Sequence, residues 1–97
     1  MTDLGNSEIL VTGGRGFIGA ALTAALDRAG HAVRAGVRRP GNARDVACDL
    51  DDLAQTRAAL NGGPLVIHTA YGDLGAMERQ CANLLSAMSD MHAHSIV

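Results

Sequence analysis

Lysine and tryptophan are absent from the 97-residue sequence, and phenylalanine and tyrosine occur once each, as Phe17 and Tyr71. Eight arginines stand against ten acidic residues, so the formal net charge is −2. This balance excludes the basic surface that binds nucleic acid or an anionic membrane. No segment reaches the ~20 apolar residues that cross a bilayer, and the polar start does not resemble a signal peptide. We therefore expect a cytoplasmic protein.

Cysteine is also scarce, and its spacing excludes two kinds of site. Cys48 and Cys81 lack the CxxC spacing of a zinc site, and two cysteines do not make a disulfide framework. We expect two buried free thiols. His92 and His94 have no third ligand nearby in the sequence, so no metal site is predicted.

Alternating short apolar runs and helical periods make up most of the chain. Apolar runs at residues 9–11, 32–37, 46–48 and 65–67 predict buried strands. Helical spacing predicts helices from Phe17 to about residue 29, up to about Leu60 after a cap at Asp51 or Asp52, and from Met77 to Met91. Strands that are apolar on both faces indicate a parallel sheet covered by helices on each side.

Where the first strand passes into the first helix, residues 11–19 read VTGGRGFIG, and three of the four glycines have GxxGxxG spacing. Gly13 allows a sharp turn off the strand, Gly16 allows backbone to approach a pyrophosphate, and Gly19 allows the helix to lie close to the sheet. The amide groups of residues 15–18 then face the ligand at the positive end of the helix dipole. The alternative is a tight strand-to-helix turn without a ligand.

The VTGGRGFIG segment closely resembles the nucleotide-binding signature of the extended short-chain dehydrogenase/reductase family, also called NAD-dependent epimerase/dehydratases. Residues 48–50 (CDL), 66–70 (VIHTA) and 83–85 (NLL) are similar to later motifs of that family. The resemblance implies a Rossmann-type α/β fold, a doubly wound parallel sheet in the order 3-2-1-4 with a truncated fifth strand at residues 94–97. It also implies that Asp49 and Leu50 meet the adenine, and that Ala70 and Tyr71 lie on the nicotinamide side.

The end of the second strand indicates which dinucleotide binds. An NAD site places an acidic residue ~20 residues beyond the glycines, on the ribose 2′-OH. Here the sequence reads Val37, Arg38, Arg39, Pro40, with no carboxylate. An arginine pair suits a 2′-phosphate, and Arg15 could join it, so NADP is favoured over NAD. The alternative is that these arginines are solvated surface residues.

The residues of the family's redox chemistry are not found in the sequence. The resemblance implies a tyrosine four residues before a lysine, which lowers the tyrosine pKa. The chain has no lysine, and Gly75 lies four residues after Tyr71. We therefore expect residues 1–97 to be the N-terminal part of a longer NAD(P)-binding Rossmann domain, incomplete at its C-terminal end. Catalytic residues are not assigned.

Two functions and one inert state follow from these observations. The first is the NAD(P)-binding portion of an epimerase/dehydratase or reductase acting on a small carbonyl, hydroxyl or nucleotide-sugar substrate. The second is a non-catalytic NADP-binding sensor or regulatory module. The third is a fragment that does not fold stably, because the fourth strand would have an unpaired edge. Substrate and oligomeric state are not indicated by the sequence.

Overall fold

The fold is an α/β sandwich in the computed structural model, which describes residues 8–70 and 73–93. The strands are β1 (Ile9–Thr12), β2 (Val33–Val37), β3 (Asp45–Ala47) and β4 (Leu65–His68), and the helices are α1 (Phe17–Arg28), α2 (Leu53–Ala59) and α3 (Leu74–Asp90). All strand pairs are parallel and their order is β3-β2-β1-β4. The predicted fold class and strand order are confirmed. The expected start of a fifth strand at residues 94–97 lies outside the described residues.

The alternation of side chains along β1 divides the core between the two faces of the sheet. Leu10 packs into a cluster that includes Val66 of β4, Leu60 after α2 and Leu84 of α3, all at most 1% exposed. Ile9 and Val11 face the other way, towards the leucines of α1. Each fully buried aliphatic side chain contributes about 1.5–3 kcal/mol of transfer free energy. The sheet is therefore fixed from both sides, by α1 on one face and by α2 and α3 on the other.

The connection between β2 and β3 contains no helix. Residues 38–44 form a short exposed loop. The carboxyl end of β2 is thus followed at once by this loop, beside the turn that follows β1.

Several local expectations need correction. β2 begins at Val33 rather than residue 32, and β3 covers residues 45–47 rather than 46–48, because the pairing with β2 starts at Asp45. Phe17 and Ile18 continue the apolar period of α1, yet they are 89% and 62% exposed, since the packed side of α1 is the one that carries Gly19, Leu22 and Leu26. Met77, the first residue of the predicted third helix, is exposed and lies within α3 rather than at its start, and Cys81, expected to be a buried thiol, is only partly buried.

The boundaries of the other helices follow their caps. Asp52, not Asp51, caps α2 by accepting a hydrogen bond from the amide of Gln55, and Asp73 caps α3 in the same way with Ala76. Within the described part of the chain, no helix has the length and apolar character needed to cross a membrane.

Candidate functional site

A cleft of about 850 Å³ opens at the carboxyl ends of the strands, where β1 and β2 meet the loops that follow them. In open parallel sheets this is the edge where ligands bind, at the point where the strand order reverses. In this sheet the strand order reverses between β1 and β4. The chain passes from β1 to β2 and β3 on one side of β1, and later to β4 on the other side. Glycine-loop residues form one wall, and the ends of β2 and β4 form the others.

The turn between β1 and α1 is built by close backbone packing. Gly13 has a φ of +65°, and a Cβ there would lie 2.7 Å from the backbone of Ala70. A Cβ on Gly14 would lie 2.5 Å from that of Ala35 on β2. A Cβ on Gly19 would collide with the carbonyl oxygen of Gly13, so α1 could not approach the turn as it does. Glycine is therefore required for the shape of this loop.

The first turn of α1 presents amide groups that have no hydrogen-bond partner among residues 8–70 and 73–93. Its N-cap, Gly16, provides no side-chain cap, and the first turn contains no acidic residue. The amide of Gly16 bonds to the carbonyl of Gly13, and the first hydrogen bond along the helix is from Ala20 to Gly16. The amides of residues 17–19 thus precede the intrahelical ladder, in the arrangement that favours a bound anion.

A polar network joins the ends of β1 and β4 beneath this loop. Thr12 Oγ1 lies 2.6 Å from Nδ1 of His68 and accepts a hydrogen bond from the amide of Thr69. The Thr69 hydroxyl lies 2.5 Å from the carbonyl oxygen of Thr12 and 3.3 Å from that of Gly13. Burial lowers the pKa of His68 below its ordinary value of 6.5. The network holds the glycine loop against β4.

Three arginines lie at the end of the cleft formed by β2 and β3, and two of them form ion pairs. Arg15 pairs with Asp45, whose side chain is 3% exposed, and Arg38 lies 3.9 Å from Asp51. Arg39 lines the cleft and is exposed. The positive charge of this end is therefore partly balanced by two carboxylates.

Asp51 links this end of the cleft to α3. Its carboxylate accepts hydrogen bonds from Arg79 and Gln80, and these, with Arg38, keep its pKa below the usual range against the effect of burial. Asn83 donates to the carbonyl oxygen of Leu50 at 2.8 Å. The segment after β3 is thereby held to α3.

The predicted site residues divide into two groups. The cleft brings together Gly13, Arg15, Gly16, Arg38, Arg39, Leu50 and Ala70. Other predicted residues do not line it: Phe17, Ile18, Gly19 and Asp49. The sequence predicts that the amides of residues 15–18 face the ligand and that Gly19 lets the helix lie close to the sheet. The amides of Phe17 and Ile18 precede the intrahelical ladder, and Gly19 packs against the carbonyl of Gly13. The Asp49 carboxylate instead accepts a hydrogen bond from the amide of Asp51. Tyr71 lies outside the described residues.

Several lining residues are additions to the sequence prediction. They are Gly14, Gly36, Val37, Cys48, Thr69, Asp73, Ala76 and Gln80. The first five follow from the strand ends, since residues at the carboxyl ends of β1–β4 share one edge. Asp73, Ala76 and Gln80 reach the cleft only because α3 crosses it, which no sequence signal indicated. Among residues 8–70 and 73–93, no group of three His, Cys, Asp or Glu could hold a metal ion.

Comparison with known proteins identifies relatives of similar architecture. A family model described as the NAD dependent epimerase/dehydratase family matches residues 9–91. No curated protein matches the chain. Among solved structures, UDP-N-acetylglucosamine 4-epimerase from Bacillus cereus is 25% identical, with 94% of this chain and 34% of that chain covered and a TM-score of 0.80.

Two further solved structures extend the comparison. A short-chain dehydrogenase/reductase superfamily protein from Agrobacterium tumefaciens with bound NAD is 29% identical (92% and 31% covered, TM-score 0.72). A Rossmann-fold NAD(P)-binding family protein from Shigella flexneri is 17% identical (93% and 49% covered, TM-score 0.76), which shows the fold alone. The chain thus spans between about a third and a half of the length of the structures it matches.

Proposed function

Because the chain belongs to the NAD-dependent epimerase/dehydratase family, we propose that its glycine-loop cleft binds a nicotinamide dinucleotide, with NADP as the favoured cofactor and NAD as the second choice. The observation that carries the proposal is the uncapped start of α1 beside three glycines that close packing requires. A nicotinamide cofactor, when bound, supplies hydride transfer.

The residues of the cleft fit such a cofactor in size and in chemistry. A volume of about 850 Å³ lies within the range of pockets that hold cofactors. The amides of residues 17–19 would hold the diphosphate, which needs hydrogen-bond donors and a positive dipole end. Leu50 offers an apolar surface to the adenine, and Ala70 lies where the nicotinamide half would pass β4.

The arginines support NADP over NAD. Val37 ends β2, and the next two residues are Arg38 and Arg39 rather than an acid that would accept a ribose hydroxyl. Guanidinium groups bind phosphate through paired N–H donors. Asp49 is proposed as an adenine contact as well: one carboxylate oxygen accepts the amide of Asp51, and the other can accept a hydrogen bond from the adenine amino group.

For the whole protein, we propose an epimerase, dehydratase or reductase reaction on a small carbonyl, hydroxyl or nucleotide-sugar substrate, in the cytoplasm. Residues 1–97 would then be the cofactor-binding part of a longer Rossmann domain. We expect residues 1–97 to bind the cofactor without turning over substrate, because the sequence contains no tyrosine four residues before a lysine.

Gly16→Ala tests the proposal without requiring a change of fold. The new Cβ would approach only the carbonyl oxygen of Gly13, at 3.2 Å, among the described atoms. We expect the variant to keep the melting temperature within a few degrees and to lose at least about tenfold in affinity for NADP, measured by calorimetry, because the methyl group occupies the approach of the diphosphate. Gly75→Ala is the matched control, because Gly75 does not line the cleft, its φ is not positive, and an added Cβ would meet only Oδ1 of Asp73, at 3.5 Å. Equal affinity of the wild-type and Gly16→Ala chains would refute the assignment of the site.

A further inference from the structure

Asp45 is a buried carboxylate that pairs with Arg15 beside the cleft rather than in its lining, and three donors converge on one of its oxygens. Oδ2 accepts hydrogen bonds from the amides of Gly41, at 2.7 Å, and Asn42, at 3.1 Å, and from the guanidinium of Arg15. The Gly41 amide is the main cause of a pKa below the usual range, and burial acts in the opposite direction. The group is therefore ionised at neutral pH.

The same carboxylate joins two segments that are distant in the sequence. Arg15 belongs to the glycine loop and lies 30 residues before Asp45. Gly41 and Asn42 belong to loop 38–44, which carries Arg38 and Arg39. The Arg15 guanidinium lies directly over Gly41, where an added Cβ would come within 3.4 Å of all three atoms Cζ, Nη1 and Nη2. Asp45 thus holds Arg15 against the loop that carries the other two arginines.

We infer that Asp45 is a positioning residue for recognition of the cofactor 2′-phosphate, acting through Arg15. The inference rests on the proposed function and deepens it. Arg15 has five N–H donors, of which Nη2 contacts Asp45, and its side chain is half exposed, so other donors remain for a ligand. Without Asp45, Arg15 would have to be ordered when the phosphate binds, at the entropic cost of immobilising a long side chain.

The alternative effect of Asp45 is competition with the phosphate for Arg15, because its negative charge neutralises the guanidinium. Competition would make removal of the charge strengthen binding of a 2′-phosphate. Positioning makes removal weaken it. The geometry favours positioning, because Asp45 is 3% exposed and lies behind Arg15 against the sheet, with its oxygen already bonded to two amides of the protein.

Asp45→Asn separates these two effects. The probes are adenosine 2′,5′-bisphosphate and 5′-AMP, which differ only in the 2′-phosphate, titrated by calorimetry at one fixed ionic strength. We expect Asp45→Asn to weaken binding of the bisphosphate about threefold to tenfold and to leave 5′-AMP within about twofold. Asp90→Asn is the matched control, because Asp90 forms an ion pair with Arg57 of α2 and neither residue lines the cleft or contacts Arg15. It should change neither affinity.

A double-mutant cycle tests whether Asp45 acts through Arg15. Arg15→Ala should itself weaken binding of the bisphosphate. Adding Asp45→Asn to Arg15→Ala should then produce no further change in the ratio of the bisphosphate affinity to the 5′-AMP affinity. A merely structural role of Asp45 would lower both affinities together, along with the melting temperature.

The inference is overturned if Asp45→Asn leaves the ratio unchanged or raises it, or if its effect persists in the Arg15→Ala background. Each of these results leaves dinucleotide binding by the wild-type chain intact. A wild-type chain that binds neither probe, NAD nor NADP overturns the proposed function and this inference with it.

Discussion

Thr12 Oγ1 lies 2.6 Å from Nδ1 of His68, and this contact joins the carboxyl ends of the two neighbouring strands β1 and β4. The same hydroxyl accepts the amide of Thr69, so the imidazole shares its partner with the backbone of the adjoining segment. The glycine loop begins one residue after Thr12. The protonation of His68 is therefore linked to the stability of the site.

Acidification below the ordinary His68 pKa should destabilise the chain. Burial lowers the His68 pKa in the folded state, so below pH 6.5 the unfolded chain binds more protons than the folded chain. The free energy of unfolding should be independent of this group above about pH 7 and fall as the pH passes from 6.5 towards the lowered folded pKa. Urea unfolding at a series of pH values measures the slope, and His68→Gln should remove this part of it. A slope that His68→Gln does not change would contradict the assignment.

Gly13→Ala should lower the free energy of unfolding more than a substitution at another glycine of positive φ. An alanine there combines the strain of φ +65° with a clash against the backbone of Ala70. We expect a loss of about 2–4 kcal/mol, against about 1–2 kcal/mol for Gly30→Ala, where φ is +88° and the added Cβ meets no atom within 4 Å. Thermal or urea unfolding compares the two. Equal losses would show that backbone strain alone, rather than the approach to β4, requires Gly13.

The Cys48 thiol should react slowly although it lines the cleft. Burial, with a smaller contribution from Asp49, raises its pKa from 9.0 to about 11. At pH 8 the thiolate fraction is then lower by about a hundredfold than for a free cysteine, and the thiolate is the reactive form. In a Cys81→Ala background, a disulfide reagent should modify Cys48 at least about a hundredfold more slowly in the folded chain than in the chain unfolded in urea. A rate in the folded chain equal to that in urea would contradict the burial of Cys48.

Arg39→Ala should reduce affinity for NADP and leave NAD nearly unchanged. Arg39 lines the cleft, so its loss removes one cation from the proposed 2′-phosphate site. A hydrogen bond between charged groups contributes about 1.5–3 kcal/mol, which predicts roughly a tenfold or greater loss for NADP. The NADP affinity of the wild-type chain should also fall as salt rises, and more steeply than in the variant. Arg28→Ala, at the far end of α1, is the control. Equal losses for NAD and NADP would place Arg39 elsewhere than at the 2′-phosphate.

The parallel sheet and the turn at its first crossover could be predicted because local patterns determine them, whereas the strand order is implied by the family resemblance. Apolar strands predict a parallel sheet, and the spacing of Gly13, Gly16 and Gly19 marks the turn at the first crossover. The ion pair of Arg15 with Asp45 could not be predicted, because it depends on the register of β3 against β2. Gln80 reads as one more polar residue of a solvated helix, and only the crossing of α3 over the cleft buries it.

The exposed face of α1 could not be predicted for a related reason. A helical apolar period shows which residues share a face, but the sequence does not show how wide a stripe the neighbouring sheet covers. In α1 the covered stripe is the one that contains Leu22 and Leu26, and Phe17 and Ile18 lie outside it.

The seven residues between Val37 and Asp45 are all exposed, and none belongs to either hydrophobic cluster. Substitutions in this stretch therefore leave the packed core unchanged, with the exception of Gly41, where a Cβ would collide with Arg15. Discrimination between the two nicotinamide coenzymes could thus diverge during evolution, or be exchanged by grafting a short peptide, while the scaffold that carries it stays the same.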